Sequence, residues 1–98
     1  MLDLGCGNGR LYKMIEKLNV DYIGIDLSEN LIKKAEELYP NAKFYVASAL
    51  DLPFPDNMFD KIISIAVLHH IPSYKLRIKF MEEAYRVLKK DGQLILTV

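Results

Sequence analysis

The chain opens with Met1-Leu-Asp-Leu-Gly-Cys-Gly-Asn-Gly9, a short apolar segment that runs directly into a loop of alternating glycines. Glycine has no side chain to hold a ligand away from the backbone, and it tolerates a positive φ angle. At the carboxyl end of a parallel strand, such a loop lets a ligand lie against bare backbone. We therefore expect the first nine residues to form a strand followed by a binding loop.

Beyond this loop, apolar runs of strand length alternate with longer segments of helical periodicity. This alternation is typical of βαβ units and a parallel sheet. The predicted fold is therefore α/β, a Rossmann-like, doubly wound, mostly parallel sheet. Its predicted strands are residues 1–4, 22–25, 43–47, 61–66 and 93–98, and its predicted helices are 10–18, 29–38 and 73–89.

Each predicted helix carries an apolar stripe that we expect to pack on the sheet. Ser28 and Ser73 are predicted N-caps of the second and third helices. Asp91 and Gly92 predict a turn into the fifth strand. The predicted buried positions are Leu11, Met14, Ile15 and Leu18 in the first helix, Leu31, Ile32, Ala35 and Leu38 in the second, and Leu76, Phe80, Ala84, Val87 and Leu88 in the third.

Composition narrows the class of protein. The chain has 98 residues, of which 51% are hydrophobic, and a formal net charge of zero, so a single globular domain is expected without a global attraction to nucleic acid. One cysteine excludes an intrachain disulfide, and no apolar run is long enough to span a membrane, so we predict a cytoplasmic protein. A doubly wound sheet normally needs more chain, so we expect residues 1–98 to be a partial domain, truncated at both ends.

Two acidic residues mark a predicted pocket at one edge of the sheet. Asp26 follows the glycines by the interval at which an acidic residue meets the hydroxyls of a ribose. Asp3 precedes the glycines, where it would repel a pyrophosphate and favour a cationic ammonium or sulfonium. The dinucleotide fingerprint would require glycine or alanine where this chain has Arg10. The pattern therefore predicts a nucleoside ligand that carries a positive charge.

Five segments in this order, LDLGCGNG, IGIDLS, LDLPFPDNMFD, SIAVLHHI and RVLKKDGQLIL, resemble the class I S-adenosylmethionine-dependent methyltransferases of the type 11 group. The resemblance covers all of the chain and implies S-adenosyl-L-methionine as the cofactor. Ser48 stands where similar proteins often carry aspartate, and a neutral hydroxyl should bind the adenine amino group more weakly. The cofactor contacts that it implies are Asp3 at the amino group, Gly5, Cys6 and Gly7 along the methionine, Asp26 at the ribose, Leu27, Ser48, Ala49 and Leu50 around the adenine, and Ala66 with Val67 at the methionyl end.

A narrower resemblance lies in ISIAVLHHI and the residues that follow it, which are similar to tRNA methyltransferases that esterify carboxymethyl-uridine at the wobble position. It implies tRNA as the methyl acceptor, with His69 and Arg77 at the substrate. A carboxylate acceptor needs no general base, so no catalytic residue is assigned. His69 and His70 are adjacent and their side chains diverge, so no metal site is predicted.

Other functions are open at this point. The same features fit a methyltransferase acting on a small molecule, and they fit a non-catalytic module that binds the cofactor or a partner protein. The basic residues of the third predicted helix form either a solvated face or a contact with RNA phosphates. An uncovered fifth strand, residues 93–98, predicts self-association through its edge.

Overall fold

The computed structural model describes residues 1–65, 67 and 70–97. The predictions made for Ala66 and His69, and for the last residue of the fifth strand, lie outside these residues. The elements are β1 (Leu2–Leu4), α1 (Arg10–Ile15) followed by a single 3₁₀ turn (Glu16–Leu18), β2 (Ile23–Asp26), α2 (Glu29–Leu38), β3 (Lys43–Val46), β4 (Phe59–Ser64), α3 (Tyr74–Val87) and β5 (Leu88–Leu96).

The five strands form one sheet in the order β3-β2-β1-β4-β5, and all four pairings are parallel. The central strand is β1, in which Asp3 lies opposite Gly24 of β2 on one side and Ile63 of β4 on the other. This arrangement confirms the predicted fold class. Because the strands are parallel, the loops that follow β1, β2 and β4 all emerge at the same edge of the sheet.

Each face of the sheet has its own core. On one face, Leu2 and Leu4 of β1 and Ile62 of β4 pack against Phe80 and Val87 of α3, and all five are fully buried. On the other face, α2 and the glycine loop enclose an aromatic cluster. This cluster consists of Tyr12, Tyr22, Tyr39 and Phe44, with ring centroids 4.9 to 6.2 Å apart.

The predicted stripe of the first helix is wrong at two positions. Met14 is 79% exposed and Leu18 is 68% exposed, whereas Leu11 and Ile15 are half-buried. The α-helix has only six residues, so the side chains that it turns toward the sheet are those of Leu11 and Ile15, which lie one turn apart. The chain then tightens into a 3₁₀ turn with three residues per turn, which rotates Leu18 away from the sheet.

The other helices also bury less than predicted. In α2, Ile32 and Ala35 are buried, but Leu31 and Leu38 are exposed, because the contact with the sheet is only two residues wide. In α3, Leu76 is exposed near the solvated start of the helix. The helix ends at Val87, two residues before the predicted end. Ser28 and Ser73 are N-caps as predicted, since their hydroxyls accept from Leu31 N and Leu76 N.

The predicted turn at Asp91 and Gly92 is instead a bulge within β5. Leu88 is paired with Phe59 and Gln93 with Lys61, so four residues of β5 lie opposite a single residue of β4. A Cβ on Gly92 would lie 2.9 Å from the carbonyl oxygen of Asp60, so the bulge is close-packed. The ends of the other strands differ from prediction by one or two residues. Within the described residues, every helix is too short or too polar to cross a membrane.

Candidate functional site

The glycine loop after β1 is held in a conformation that other residues rarely adopt. The φ angles are +76° at Gly5, +57° at Gly7 and +94° at Gly9. The amides of Gly5 and Cys6 both donate to the carbonyl of Ile25, at 2.9 and 2.8 Å. These bonds fix the start of the loop to the end of β2. Residues with a Cβ would be strained at all three glycine positions.

Asp26 connects the glycine loop to the next helix. Its Oδ2 accepts a 2.9 Å hydrogen bond from Gly7 N, and its Oδ1 accepts a 2.9 Å bond from Ser28 N. An ionised carboxylate has about four lone-pair sites, so both oxygens can accept further bonds from a ligand. The carboxylate is therefore fixed in position and still able to bind hydroxyl groups.

A cavity of about 560 Å³ opens at this edge of the sheet. Its wall comes from the glycine loop, the start of α2, and the loops after β3 and β4. Among the described residues that line it, the ionisable ones are Arg10, Asp26 and His70. The full lining is Gly5, Gly7, Asn8, Arg10, Ile25, Asp26, Leu27, Leu31, Ala47, Ala49, Ile65, Val67 and His70.

The cavity contains several of the residues singled out in the sequence. Gly5, Gly7, Asp26, Leu27 and Ala49 all line it, and so does Val67. The sequence reasoning missed Asn8 and Arg10, which directly continue the glycine loop. It also missed Leu31, which was expected in the core and instead faces the cavity. Its place in the first turn of α2, directly after the predicted ribose-binding segment, was the available signal.

Asp3 lies beneath the loop rather than on the cavity wall. Its side chain is 3% exposed, and its Oδ2 accepts a 2.6 Å hydrogen bond from the Tyr22 hydroxyl. Burial raises the pKa of Asp3 to about 6, while the bond from Tyr22 and the positive charge of Arg10 oppose that rise. At neutral pH the carboxylate is therefore mostly ionised, and its negative charge lies beneath the glycine loop rather than in contact with the cavity.

Cys6 is also part of the interior. Its side chain is 2% exposed and packs with Tyr22, Ile32 and Phe44. A Cβ on Gly24 would lie 3.0 Å from its sulfur, so the thiol fills the space that this glycine leaves. Burial raises the pKa of Cys6 to about 12, which keeps the thiol protonated and unsuited to nucleophilic attack.

Ser48 and Leu50 flank the cavity without lining it. The Ser48 hydroxyl accepts a 3.1 Å hydrogen bond from Leu50 N, and Ser48 forms an isolated antiparallel bridge with Asp51. Leu50 is half-buried and packs against the core beneath α3. This tight turn presents Ala49, which lies between the two, to the cavity.

A charged pair on α3 holds the segment that follows this turn. Glu83 accepts a 2.7 Å bond from Leu52 N and a 2.7 Å bond from Arg86 Nε. The same guanidinium donates to the carbonyls of Leu52 and Phe54 and to Asp56, at 2.8 to 2.9 Å. These bonds lower the pKa of Glu83 and raise that of Arg86. The pair, which sequence reasoning did not identify, fixes the loop between β3 and β4 to α3.

The two residues predicted at the substrate have different positions. Arg77 donates a 2.8 Å bond to the carbonyl of Ile71 and lines a separate groove along the exposed side of α3, with Tyr74 and Tyr85. His69 lies outside the described residues. Its neighbour His70 lines the cavity.

Together, the strand order, the glycine loop after the central strand and the acid after its neighbour define a nucleoside-binding α/β domain. The chain belongs to the methyltransferase domain family, which matches residues 2–96. Membership in this family and the shared fold imply S-adenosyl-L-methionine as the cofactor. The predicted resemblance is thereby confirmed.

Similar proteins include several tRNA methyltransferases. The chain is 39% identical over 98 residues to the tRNA (carboxymethyluridine(34)-5-O)-methyltransferase of Arabidopsis thaliana, covering 100% of this chain and 23% of that protein. It is 37% identical over 97 residues to the enzyme of the same name from Schizosaccharomyces pombe, covering 99% and 40%. The chain thus spans between 23% and 40% of the length of these two curated relatives.

Solved structures show the same fold. A SAM-dependent methyltransferase from Methanosarcina mazei superimposes with a TM-score of 0.92 at 31% identity, covering 97% of this chain and 50% of that chain.

Proposed function

We propose that this domain binds S-adenosyl-L-methionine and directs its methyl group to carboxymethyl-uridine at the wobble position of tRNA. The observation that carries the cofactor proposal is the bond between Gly7 N and Asp26 Oδ2 in the cavity wall, which joins the bare backbone of the loop to the acid. The acceptor is supported by the names of the relatives from Arabidopsis thaliana and Schizosaccharomyces pombe.

The cavity has room for a ligand of the cofactor's size. A Cβ built on Gly7 would meet nothing nearer than Arg10 Nε at 3.8 Å, so the backbone at this position faces open space. The volume of about 560 Å³ falls within the usual range for small-molecule sites. An amide-anchored carboxylate and a guanidinium in one wall match a ligand that carries hydroxyls and a zwitterionic end.

Different residues of the cavity contact different parts of the cofactor. The remaining lone pairs of Asp26 accept the ribose hydroxyls, and Leu27, 72% exposed, covers one face of the adenine. Ala49 approaches the adenine edge, in a position set by Ser48 and Leu50. Gly5 and Gly7 line the methionine portion, and the resemblance adds Ala66 to the residues proposed to contact it. Asp3 and Cys6 act from beneath the loop, the first through its charge and the second through packing.

When bound, S-adenosyl-L-methionine supplies a methyl group that its positive sulfur already activates. A carboxylate acceptor is ionised at neutral pH, so the protein has no proton to remove. The task of the chain is to hold both reactants in line and to exclude water. His70 at the cavity, with His69, would orient the anionic acceptor, and Arg77, in the separate groove along α3, would contact the tRNA outside the cavity.

Two measurements test the function. The chain is first titrated with S-adenosylhomocysteine and with NAD, and the proposal expects saturable binding of the first only. Methyl transfer from labelled cofactor by a longer protein that contains this domain is then compared between total tRNA and a pool of small metabolites. Label in tRNA supports the proposed acceptor. Label confined to metabolites would show a small-molecule methyltransferase, and binding without transfer to either pool would favour a non-catalytic module.

We further infer that residues 1–98 are the cofactor-binding part of a larger cytoplasmic domain. We also infer that the edge of β5 in residues 1–98 pairs with a second copy of this chain. The share of its relatives that the chain covers supports the first point, and the exposure of Ile95, at 44% on an edge strand, supports the second. In light scattering, Ile95→Lys should reduce self-association relative to the unaltered chain. A monomeric, cooperatively melting unaltered chain would contradict the pairing.

A further inference from the structure

Arg10 places a cation on the cavity wall beside the glycine loop. It is the first residue of α1, it is exposed, and it lines the cavity together with Gly7 and Asn8. Its Nε is 3.8 Å from the point where a Cβ on Gly7 would lie. Among the described residues, no hydrogen bond or ion pair engages this guanidinium.

The nearby acids do not use the donors of Arg10. Asp3 lies close enough for the charge of Arg10 to lower its pKa, but this carboxylate is buried and bonded to Tyr22. Asp26 shares the wall, yet its oxygens already accept from two backbone amides. The five N–H donors of the guanidinium are therefore available to a ligand in the cavity.

The planar fork of a guanidinium matches a carboxylate through two parallel hydrogen bonds. In the proposed orientation of the cofactor, the portion that lies along Gly5 and Gly7 is an amino acid with an ammonium and a carboxylate. We propose that Arg10 binds the carboxylate of this amino-acid portion, an assignment that rests on the proposed function. The buried charge of Asp3 then faces the ammonium, so the two ends of the zwitterion meet opposite charges across the loop.

The test compares two ligands that differ in the amino-acid portion. The full chain and its Arg10→Gln and Arg10→Lys variants are titrated with S-adenosylhomocysteine and with 5′-methylthioadenosine, which has the nucleoside but no carboxylate. We expect Arg10→Gln to lower the affinity for S-adenosylhomocysteine by roughly 10- to 100-fold, which is the effect of losing a charge-assisted hydrogen bond. Binding of 5′-methylthioadenosine should be unchanged, and Arg10→Lys should fall between, since a lysine keeps the charge but not the fork.

The ratio of the two affinities separates this role from a loss of folding. A partly unfolded variant would lose both ligands by the same factor, and that result would overturn the assignment, as would an unchanged affinity for S-adenosylhomocysteine. The matched control is Lys13→Gln on the same helix, which lies outside the cavity wall and should change neither affinity. Binding of neither ligand by the unaltered chain would instead refute the proposed function itself.

Discussion

The Tyr22 hydroxyl donates a 2.6 Å hydrogen bond to Asp3 Oδ2 in the interior of the sheet, directly beneath the glycine loop. Tyr22 precedes β2 and Asp3 is the middle residue of β1, so this bond crosses the two strands whose ends form the site. Burial raises the pKa of both groups. The glycine loop thus lies on a buried carboxyl group, Asp3, whose ionisation lowers the stability of the folded protein.

The first prediction concerns the pH dependence of stability. The pKa of Asp3 is 3.8 in an unfolded chain and about 6 in the folded protein, so the folded state binds more protons between these values. The contribution of Asp3 to the stability of the folded state is therefore fully present below pH 4, and it is lost as the pH rises through about 6. The free energy of unfolding of Asp3→Asn, measured relative to that of the unaltered chain, should therefore increase by about 2 kcal/mol from pH 4 to pH 7. Urea unfolding across this range measures the difference.

Asp21→Asn, which removes an exposed carboxyl near the start of β2 and leaves the bond between Tyr22 and Asp3 in place, is the control for the substitution itself. Tyr22→Phe removes a bond that lowers the pKa of Asp3, so NMR titration should find a higher pKa in that variant. Parallel stability profiles for Asp3→Asn and the unaltered chain would contradict the prediction.

The second prediction concerns Asp26 and the ligand. Asn keeps the shape but offers one acceptor oxygen, so either Gly7 N or Ser28 N loses its partner and the charge is gone. Affinity for S-adenosylhomocysteine, measured by calorimetry, should fall roughly 10- to 100-fold. Asp91→Asn removes a charge from β5, away from the cavity, and should have no effect. Equal affinities of Asp26→Asn and the unaltered chain would show that Asp26 has only a structural role.

The third prediction compares two glycines in the loop. Gly7→Ala meets open space and suffers only from its positive φ, so it should lose about 1–2 kcal/mol of stability. Gly9→Ala also has a positive φ and in addition places a Cβ 2.8 Å from two ring carbons of Tyr39, so its loss should be clearly larger. Denaturant unfolding of both variants provides the test. Equal losses would show that the Tyr39 ring moves aside without cost.

The fourth prediction concerns the pair formed by Glu83 and Arg86. Glu83→Ala deprives Leu52 N of its acceptor and Arg86 of its nearest anion, so the loop between β3 and β4 should open more often. Hydrogen exchange at the Leu52 amide should accelerate roughly tenfold, while amides of β1 remain protected. Glu82→Ala, one residue away and exposed, is the matched control. Unchanged exchange at Leu52 would exclude the pair as the support of this loop.

Sequence periodicity was sufficient for the sheet because parallel strands buried on both faces produce continuous apolar runs. The meeting of Gly7 and Asp26 also followed, since parallel strands end at one edge. Helix faces were less predictable, as Leu31 and Leu76 show, because an apolar residue on a surface helix is not required to be buried. Alternation along β1 places Asp3 on the face opposite Leu2 and Leu4, but it does not show that Tyr22 and the glycine loop cover this carboxyl and the Cys6 thiol.

The aromatic cluster beneath the glycine loop gives the domain an optical property. The sequence has no tryptophan and six tyrosines, so tyrosine dominates its ultraviolet emission. Three of these rings, Tyr12, Tyr22 and Tyr39, lie in this one cluster, and the Tyr39 ring packs directly against Gly9. Intrinsic fluorescence should therefore report the state of the loop without any attached dye.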